Sequence, residues 1–455
     1  MMLLSELAHA VGGRLQGADA SFDSVSTDSR KIAAGQLFIA LRGANFDGHA
    51  FIEAVGQAGA AGAIVDEAFT APSELPRVVV ADTRLALGKL SAVWRARFAI
   101  PVIGVTGSNG KTSVKEMCAA ILRAQAQLDG VSEEGVLATV GNLNNDIGLP
   151  LMLLRLKETT HAAVIEMGMN HPGEIAYLTH LARPTVALVN NAQRAHLEGM
   201  GGLDAIAAEK GEIYEGLGED GIAIINADDS HADFWRELNA HRQVLSFGLD
   251  KNADVSASYT LLGLGAQIDL ATPHGNISFT LQVPGLHNVR NATAAAAACI
   301  AAGVPLQAVQ RGLAGFRGTH GRLQVQRGEA GAMILDDTYN ANPDSVRAGI
   351  DVLAMTPGRK LMVFGDMGET GDRAAQYHDE IGGYAKSQGI DQLFTLGEYA
   401  AVAARNFGEG GQRFSELEAL VAALRQQLTP DTVVLVKGSR FMKMERVVEA
   451  ISAQE

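Results

Sequence analysis

The sequence predicts three α/β domains in succession: a small N-terminal module, a central domain on a mostly parallel sheet, and a C-terminal doubly wound domain. Three observations carry this. A glycine-rich turn, Thr106-Gly107-Ser108-Asn109-Gly110-Lys111-Thr112-Ser113, joins a β-branched apolar run at 99–105 to a helical stretch at 114–126. From there to about residue 315, strands alternate with helices, as in a parallel sheet covered on both faces. After about Phe316 the alternation starts again. The boundaries read as 1–82, 83–314 and 315–455.

In the first module, residues 22–30 read as a strand ending in a polar turn and 36–41 as a second strand. Residues 42–49 form a loop with Gly43 and Gly48, 51–60 an apolar helix, and 77–80 a closing strand. A helix at 83–98 leads to the glycine-rich turn. Buried strands follow at 162–168, 185–189 and 221–226, and the alternating run at 253–283 reads as an antiparallel edge. The last domain places strands at 332–335, 360–364, 392–396 and 432–436, so its sites belong at their carboxyl ends.

Composition narrows the function classes. The chain has 455 residues, 47% hydrophobic, with a formal charge of −14 and no block of Lys or Arg, which argues against nucleic acid as a partner. Anionic substrates would be bound by a few positioned groups rather than by a general positive field. The two cysteines, Cys118 and Cys299, lie in apolar helical contexts, which points to buried thiols in a reducing cytoplasm. The N-terminus has no basic region of the signal-peptide kind, and no run is apolar enough for a membrane span.

The glycine-rich turn is the centre of the chemistry. Strand, glycine turn and helix form a P-loop, in which glycines let backbone amides and a helix N-terminus approach a polyphosphate. Gly107, Ser108, Asn109, Gly110 and Ser113 form the cradle, Lys111 reaches the β- and γ-phosphates, and the Thr112 hydroxyl is a Mg²⁺ ligand. The loop is a tight variant, with Val105 where the standard motif has its first glycine.

Other candidates sit just past strands. Glu166 ends the 162–165 run and reads as a Mg²⁺ carboxylate or as a strand-end acid paired to a base. His196 reads as structural, or as a metal ligand beside such a carboxylate. Lys210, on a helix, reads as solvated. Asn288 and Asn291, three apart on one helix face, could read a base edge or cap the helix. The stretch Asp336-Asp337-Thr338-Tyr339-Asn340-Ala341-Asn342-Pro343 is dense in acids and amides, with site and turn readings both open. In the first module, Ser29, Arg30 and the loop containing Gly43, Asp47, Gly48 and His49 either cup a phosphate-bearing ligand or are ordinary turn chemistry.

The order of motifs resembles the Mur ligases, ATP-dependent amide-forming enzymes of peptidoglycan precursor synthesis. It runs from T-G-S-N-G-K-T through Gly141-Asn142-Leu143-Asn144-Asn145-Asp146-Ile147-Gly148, Glu166-Met167-Gly168, Ala195-His196-Leu197-Glu198 and Glu209-Lys210-Gly211-Glu212-Ile213. It ends with His287-Asn288, Asn291-Ala292 and Gly321-Arg322-Leu323. Within the family, residues 337–343, Gly365-Asp366-Met367-Gly368-Glu369 and Lys437-Gly438-Ser439-Arg440 look like the branch that adds D-alanyl-D-alanine to a UDP-N-acetylmuramoyl tripeptide. Thr370 stands where that branch more often has Leu.

The resemblance implies a cytoplasmic, monomeric enzyme using ATP and Mg²⁺ on small-molecule substrates through an acyl phosphate. It implies that the N-terminal module binds UDP through Ser29, Arg30, Gly43, Asp47, Gly48 and His49, and that the C-terminal domain is Rossmann-like. It assigns Lys111, Glu166, His196 and Lys210 to catalysis, with Thr112, Glu166, His196 and a carbamylated Lys210 around metal. Asn288 and Asn291 would meet adenine, Arg322 and Asp337 would hold ATP, and Tyr339, Asn340, Asn342 and Lys437 would serve the incoming dipeptide. A folylpolyglutamate synthase-like ligase, or a non-catalytic P-loop switch, are the alternatives.

Overall fold

The computed structural model describes residues 1–194 and 201–453. Three large sheets follow one another along the chain. The first has five strands in the order Arg14–Gln16, Arg77–Val80, Gly62–Asp66, Gln36–Ile39, Ser24–Ser26, parallel except for the first pair. Asp23 interrupts the expected 22–30 strand, leaving Ser21–Phe22 to pair with Met2–Leu3 and Ser24–Ser26 to join the main sheet. The short edge strand Arg14–Gln16 and the buried strand Gly62–Asp66 were not anticipated.

The central sheet has nine strands in the order Val136–Ala138, Ala162–Glu166, Val102–Thr106, Val186–Val189, Ile222–Asn226, Gln243–Gly248, Val255–Leu261, Ala266–Thr272, Gly275–Leu281. The first seven run parallel, and the last two turn back antiparallel, as the alternation at 253–283 predicts. Alternate residues of one strand feed opposite cores. Ile103 and Val105 face the core beneath helices Lys111–Asp129 and Leu286–Ala301, while Val102 joins the core under Glu174–Ala182. Period-two side chains buried on both faces explain why these strands read as unbroken apolar runs.

The helix Leu306–Gly315 lies against the P-loop helix so closely that a Cβ on Gly312 would stand 2.5 Å from the Ile121 Cα. The helix Thr83–Arg95 serves two layers: Ala86, Leu87 and Leu90 pack in the core of the first sheet together with Leu154 of the central domain.

The third sheet orders Gln324–Arg327, Met333–Asp337, Thr432–Lys437, Arg359–Gly365, Gln392–Leu396, Gly411–Phe414. All but the first pair are parallel. The four expected strands are present, and both edge strands are additions. The carboxyl ends of Val102–Thr106, Ala162–Glu166 and Val186–Val189 meet those of Met333–Asp337 and Thr432–Lys437 across the junction of the two domains, the place where parallel α/β sheets bind ligands.

Candidate functional site

The P-loop leaves the strand Val102–Thr106 and enters the helix Lys111–Asp129 through Gly110, which is left-handed at φ 80°. Only glycine takes this conformation without strain, and here space forbids a side chain as well. A Cβ on Gly110 would lie 2.3 Å from Asn291 Oδ1 and 2.5 Å from Asn190 Nδ2. Lys111 folds back over the loop, donating from Nζ to the Gly107 carbonyl at 2.7 Å. Burial pushes its amine below the usual lysine range, with Glu166 opposing and Arg322 reinforcing the shift.

A ladder of amides holds the loop. Asn288 Nδ2 donates to the Pro284 carbonyl, Asn291 Nδ2 to Asn288 Oδ1, and Asn190 Nδ2 to both Asn291 Oδ1 and the Asn109 carbonyl. Asn191 accepts from the Asn109 N–H at 2.9 Å, and Asn109 Nδ2 donates to Gln193 Oε1 at 2.7 Å. Asn288 and Asn291 do not cap the helix, whose N-cap is Gly285; they lie within it, brace the loop and line a cavity. That cavity, of about 440 Å³, is walled by Gly110, Thr112, Ser113, His287, Asn288 and Asn291, with Arg322, Asp337 and Lys437 opposite. Burial and the neighbouring Lys437 and Arg290 charges hold the His287 imidazole down to about 4, so the ring is neutral at pH 7.

A second cavity, of about 360 Å³, opens on the other side of the P-loop, lined by Lys111, Glu166, Asn144, Tyr339, Asn340 and Asn342 among others. Asn109, Arg322 and Ser345 line both cavities, so the loop is a shared wall. Glu166 is 2% exposed; its Oε1 accepts from Asn144 Nδ2 at 2.8 Å, and its Oε2 is buried with no hydrogen-bond partner among the described residues. A buried carboxylate oxygen left bare costs several kcal/mol unless a cation or donor completes it.

Arg322 comes from the third domain. Its guanidinium donates to Thr112 Oγ1 at 3.3 Å and lies 3.9 Å from the Tyr339 ring centroid. The next residue, Leu323, is left-handed at φ 54°, which costs a branched side chain about 1–2 kcal/mol and marks the turn that aims Arg322 at the loop. Asp337 and Lys437, at adjacent strand ends, pair at 2.6 Å. Burial pushes the carboxyl up and the amine down, each opposed by the other's charge. The dipeptide group of the sequence reading is thereby divided: Tyr339, Asn340 and Asn342 face the second cavity, and Lys437 the first.

Matches of three kinds bear on this arrangement. Family models for the Mur ligase catalytic domain, middle domain and glutamate ligase domain match residues 21–95, 105–299 and 321–440. The UDP-N-acetylmuramoyl-tripeptide–D-alanyl-D-alanine ligase of Escherichia coli K12 is 42% identical over 452 residues, covering 98% of both chains. The chain belongs to the Mur ligase family. Among solved structures, a MurF from Acinetobacter baumannii superposes with a TM-score of 0.90 at 38% identity, covering 98% of this chain and 97% of that one. The MurF ligase of Thermotoga maritima, in complex with ADP, gives 0.82 at 29% identity over 94% and 96%.

In this Mur ligase Lys210 is not solvated. It is 1% exposed, and its Nζ meets the Met169 Sδ at 3.7 Å, with no oxygen partner among the described residues. Burial, reinforced by the Lys111 charge, drives its amine well below the ordinary range. Its neighbour Glu209 on the helix Leu203–Gly211 is buried too, accepting from the backbone N–H groups of Gly173 and Ile175, so polar residues of this helix face the interior. His196 lies outside the described residues.

The first-domain candidates line neither cavity. Ser29 and Arg30 form a short turn in which the exposed Arg30 pairs with Asp28 and holds that carboxyl at about 2. His49 points inward: its Nδ1 donates to Asp47 Oδ1 at 2.7 Å and its Nε2 accepts from the Asp66 N–H at 3.0 Å. Gly48 is buried, its N–H donating to the Leu41 carbonyl, and Gly43 lies under the Phe46 ring. Both segments leave the carboxyl edge of the first sheet. From that same edge Arg84, bonded to Asp146 at 2.6 Å, reaches into the second cavity. Sequence reasoning did not single out Arg84, Asn109's partners Asn191 and Gln193, or Arg194. The pair Asn190-Asn191 directly after a buried strand was the available signal.

Proposed function

We propose that this Mur ligase uses ATP to join D-alanyl-D-alanine to a UDP-N-acetylmuramoyl tripeptide, the reaction for which its E. coli relative is named. The observation that carries the reading is the P-loop acting as the common wall of two cavities. A nucleotide in the first would direct its γ-phosphate over the loop toward a carboxylate in the second. The ADP held by the Thermotoga relative supports nucleotide use.

A tripeptide carboxylate oxygen attacks the γ-phosphorus and ADP leaves, giving an acyl phosphate. The dipeptide amine then adds to the carbonyl carbon, a proton is lost, and phosphate departs from the tetrahedral intermediate. Phosphoryl transfer demands positioning and charge neutralisation more than covalent help. Arg322 stands at the shared wall, and Lys111 of the loop lines the second cavity, so both can neutralise phosphate charge. Tyr339, Asn340 and Asn342 belong to the wall contributed by the third domain, from which the amine would approach.

The Thr112 hydroxyl, in the first cavity, would hold a Mg²⁺ that serves the ATP phosphates, and the bare Glu166 Oε2, in the second, fits a second divalent cation. Mg²⁺ held there, with His196 and a carbamate on Lys210, would neutralise phosphate charge. Burial disfavours the charged form of this amine, which suits carbamylation, in which Nζ bonds to CO₂ carbon and releases one proton, and the resulting anion belongs beside cations rather than beside Met169. Among the described residues no cluster of three His, Cys, Asp or Glu side chains forms a metal site, and no helix is long and apolar enough to cross a membrane. We further assign UDP to the first domain's carboxyl edge, and residues 1–82, 83–314 and 315–455 to the three functional units. The protein would act as a cytoplasmic monomer.

Release of ADP that requires both a UDP-muramoyl tripeptide and D-alanyl-D-alanine is the expected result. Turnover with a folate and glutamate instead, or ATP binding without turnover, overturns it. Parallel assays with lysine and diaminopimelate tripeptides identify the third residue.

A further inference from the structure

Among the described residues, the side chain that ties the central domain to the third most densely has no role so far. Arg194 follows the Asn190–Gln193 segment that braces the P-loop. Its backbone N–H donates to Asp344 Oδ2 at 2.9 Å, and its Nε and Nη2 donate to Asp344 Oδ1 at 3.0 and 2.6 Å. Its Nη1 reaches Glu380 Oε2 at 3.1 Å. Arg347 holds the same Glu380 from the far side at 2.9 Å. Asp344 stands in the first turn of the helix Pro343–Met355, whose N-cap Asn342 donates to Asn109 Oδ1 at 2.8 Å.

One helix N-terminus therefore grips the P-loop region at two points. On the central side, the gripped segment holds the loop directly: Ser108 N–H donates to the Asn191 carbonyl at 3.0 Å, and Gln193 N–H to Ser108 Oγ at 2.9 Å. Arg194 also lines the second cavity, where water would compete with the amine. With Nη2 also on Glu380 Oε1 at 3.3 Å, the guanidinium forks onto both Glu380 oxygens, and such a partly buried pair is directional as well as strong.

We propose that Arg194 is a positioning residue, a latch through which docking of the third domain sets the P-loop and seals the second cavity, so that ATP consumption stays coupled to amide formation. This rests on the ligase reading given above. Without the latch, water adds to the acyl-phosphate carbon and the C–O bond to phosphate breaks. The products are the original carboxylate, inorganic phosphate and one proton, with ATP spent and no amide made.

The test compares phosphate released with amide formed, by colorimetry and mass spectrometry, for the full chain and for Arg194→Ala, Arg194→Lys and Asp344→Asn. The native chain should give equal amounts. Arg194→Ala should release several-fold more phosphate than amide, with a raised KM for the dipeptide and an ATP KM changed less than threefold. Asp344→Asn should reproduce the imbalance even if Arg194→Ala folds poorly, and Arg194→Lys should restore part of the coupling. Equal amounts in folded Arg194→Ala and Asp344→Asn overturn the latch alone. No amide from the native chain overturns the ligase reading itself.

Discussion

The Arg322 guanidinium donates to the Thr112 hydroxyl across 210 residues of sequence, at 3.3 Å, so one side chain of the third domain stands on the nucleotide loop of the second. Arg322→Ala should lower kcat about 100-fold, the order seen when a positioned donor to developing charge is lost. Arg322→Lys should recover little of this, because an ammonium offers neither the planar fork nor the stacking over Tyr339. Steady-state kinetics at saturating substrates checks both; near-native turnover in Arg322→Ala removes this residue from the reaction.

Gly110→Ala should abolish nucleotide binding in a protein that still folds. The new methyl would collide with Asn291 Oδ1 and Asn190 Nδ2 at a backbone angle that costs a non-glycine residue about 1–2 kcal/mol. The collision pushes apart the rungs that hold the loop. Calorimetric titration with an ATP analogue, alongside a thermal melt, separates lost binding from lost folding.

The sequence reveals those parallel strands that bury long β-branched or branched side chains on two faces, such as Val102–Thr106 and Thr432–Lys437, and it misses Gly62–Asp66, which is buried and parallel but opens on Gly and Ala. It conceals the edge strands Gln324–Arg327 and Gly411–Phe414, whose exposed residues carry no such signal. The P-loop was legible because its glycines and lysine act locally. The amide ladder was not, because Asn109, Asn190 and Asn291 lie far apart in the chain and polar residues after a strand also suit plain turns. Lys210 misled for a related reason: helical periodicity gives the face a lysine occupies, not whether another helix or a methionine covers it.

Lys210→Met should abolish turnover and stabilise the fold. In CO₂-free buffer the folded chain holds this amine below its ordinary pKa, so the unfolded chain binds more protons between the lowered value and 10.5. Stability then rises with pH across that window, and at neutral pH the folded state bears the cost of the buried group. Replacing it with an apolar side chain removes that cost, worth about 1–4 kcal/mol at pH 7.5. Urea unfolding measures the gain, which should shrink toward pH 10. A destabilised Lys210→Met would show that the buried amine has a partner worth more than its desolvation.

His287 gives a second window of the same sign, on the acid side. Its imidazole, pushed down from 6.5 to about 4, is protonated in the unfolded chain before it is in the folded one. Its contribution is fully present above pH 6.5 and lost as the pH falls through 4. The ring is only half-buried and opens onto the first cavity, so solvent screens part of the effect, and the expected loss is about 1–2 kcal/mol. Comparison of the native chain with His287→Gln at pH 4.5 and 7.5 should show a flatter profile for the variant. Parallel profiles count against the shift.

The helix that carries Asn288 and Asn291 continues through five alanines, Ala294 to Ala298, each fully enclosed. Any heavier residue there overpacks a core with no slack, at about 1–3 kcal/mol. Each such step spends a sizeable part of the roughly 5–15 kcal/mol that holds a domain folded, so the surface behind the amide rungs can be reshaped only at a cost in stability. A ligand seated against those rungs would therefore rest on a wall whose shape is tied to the stability of the whole domain.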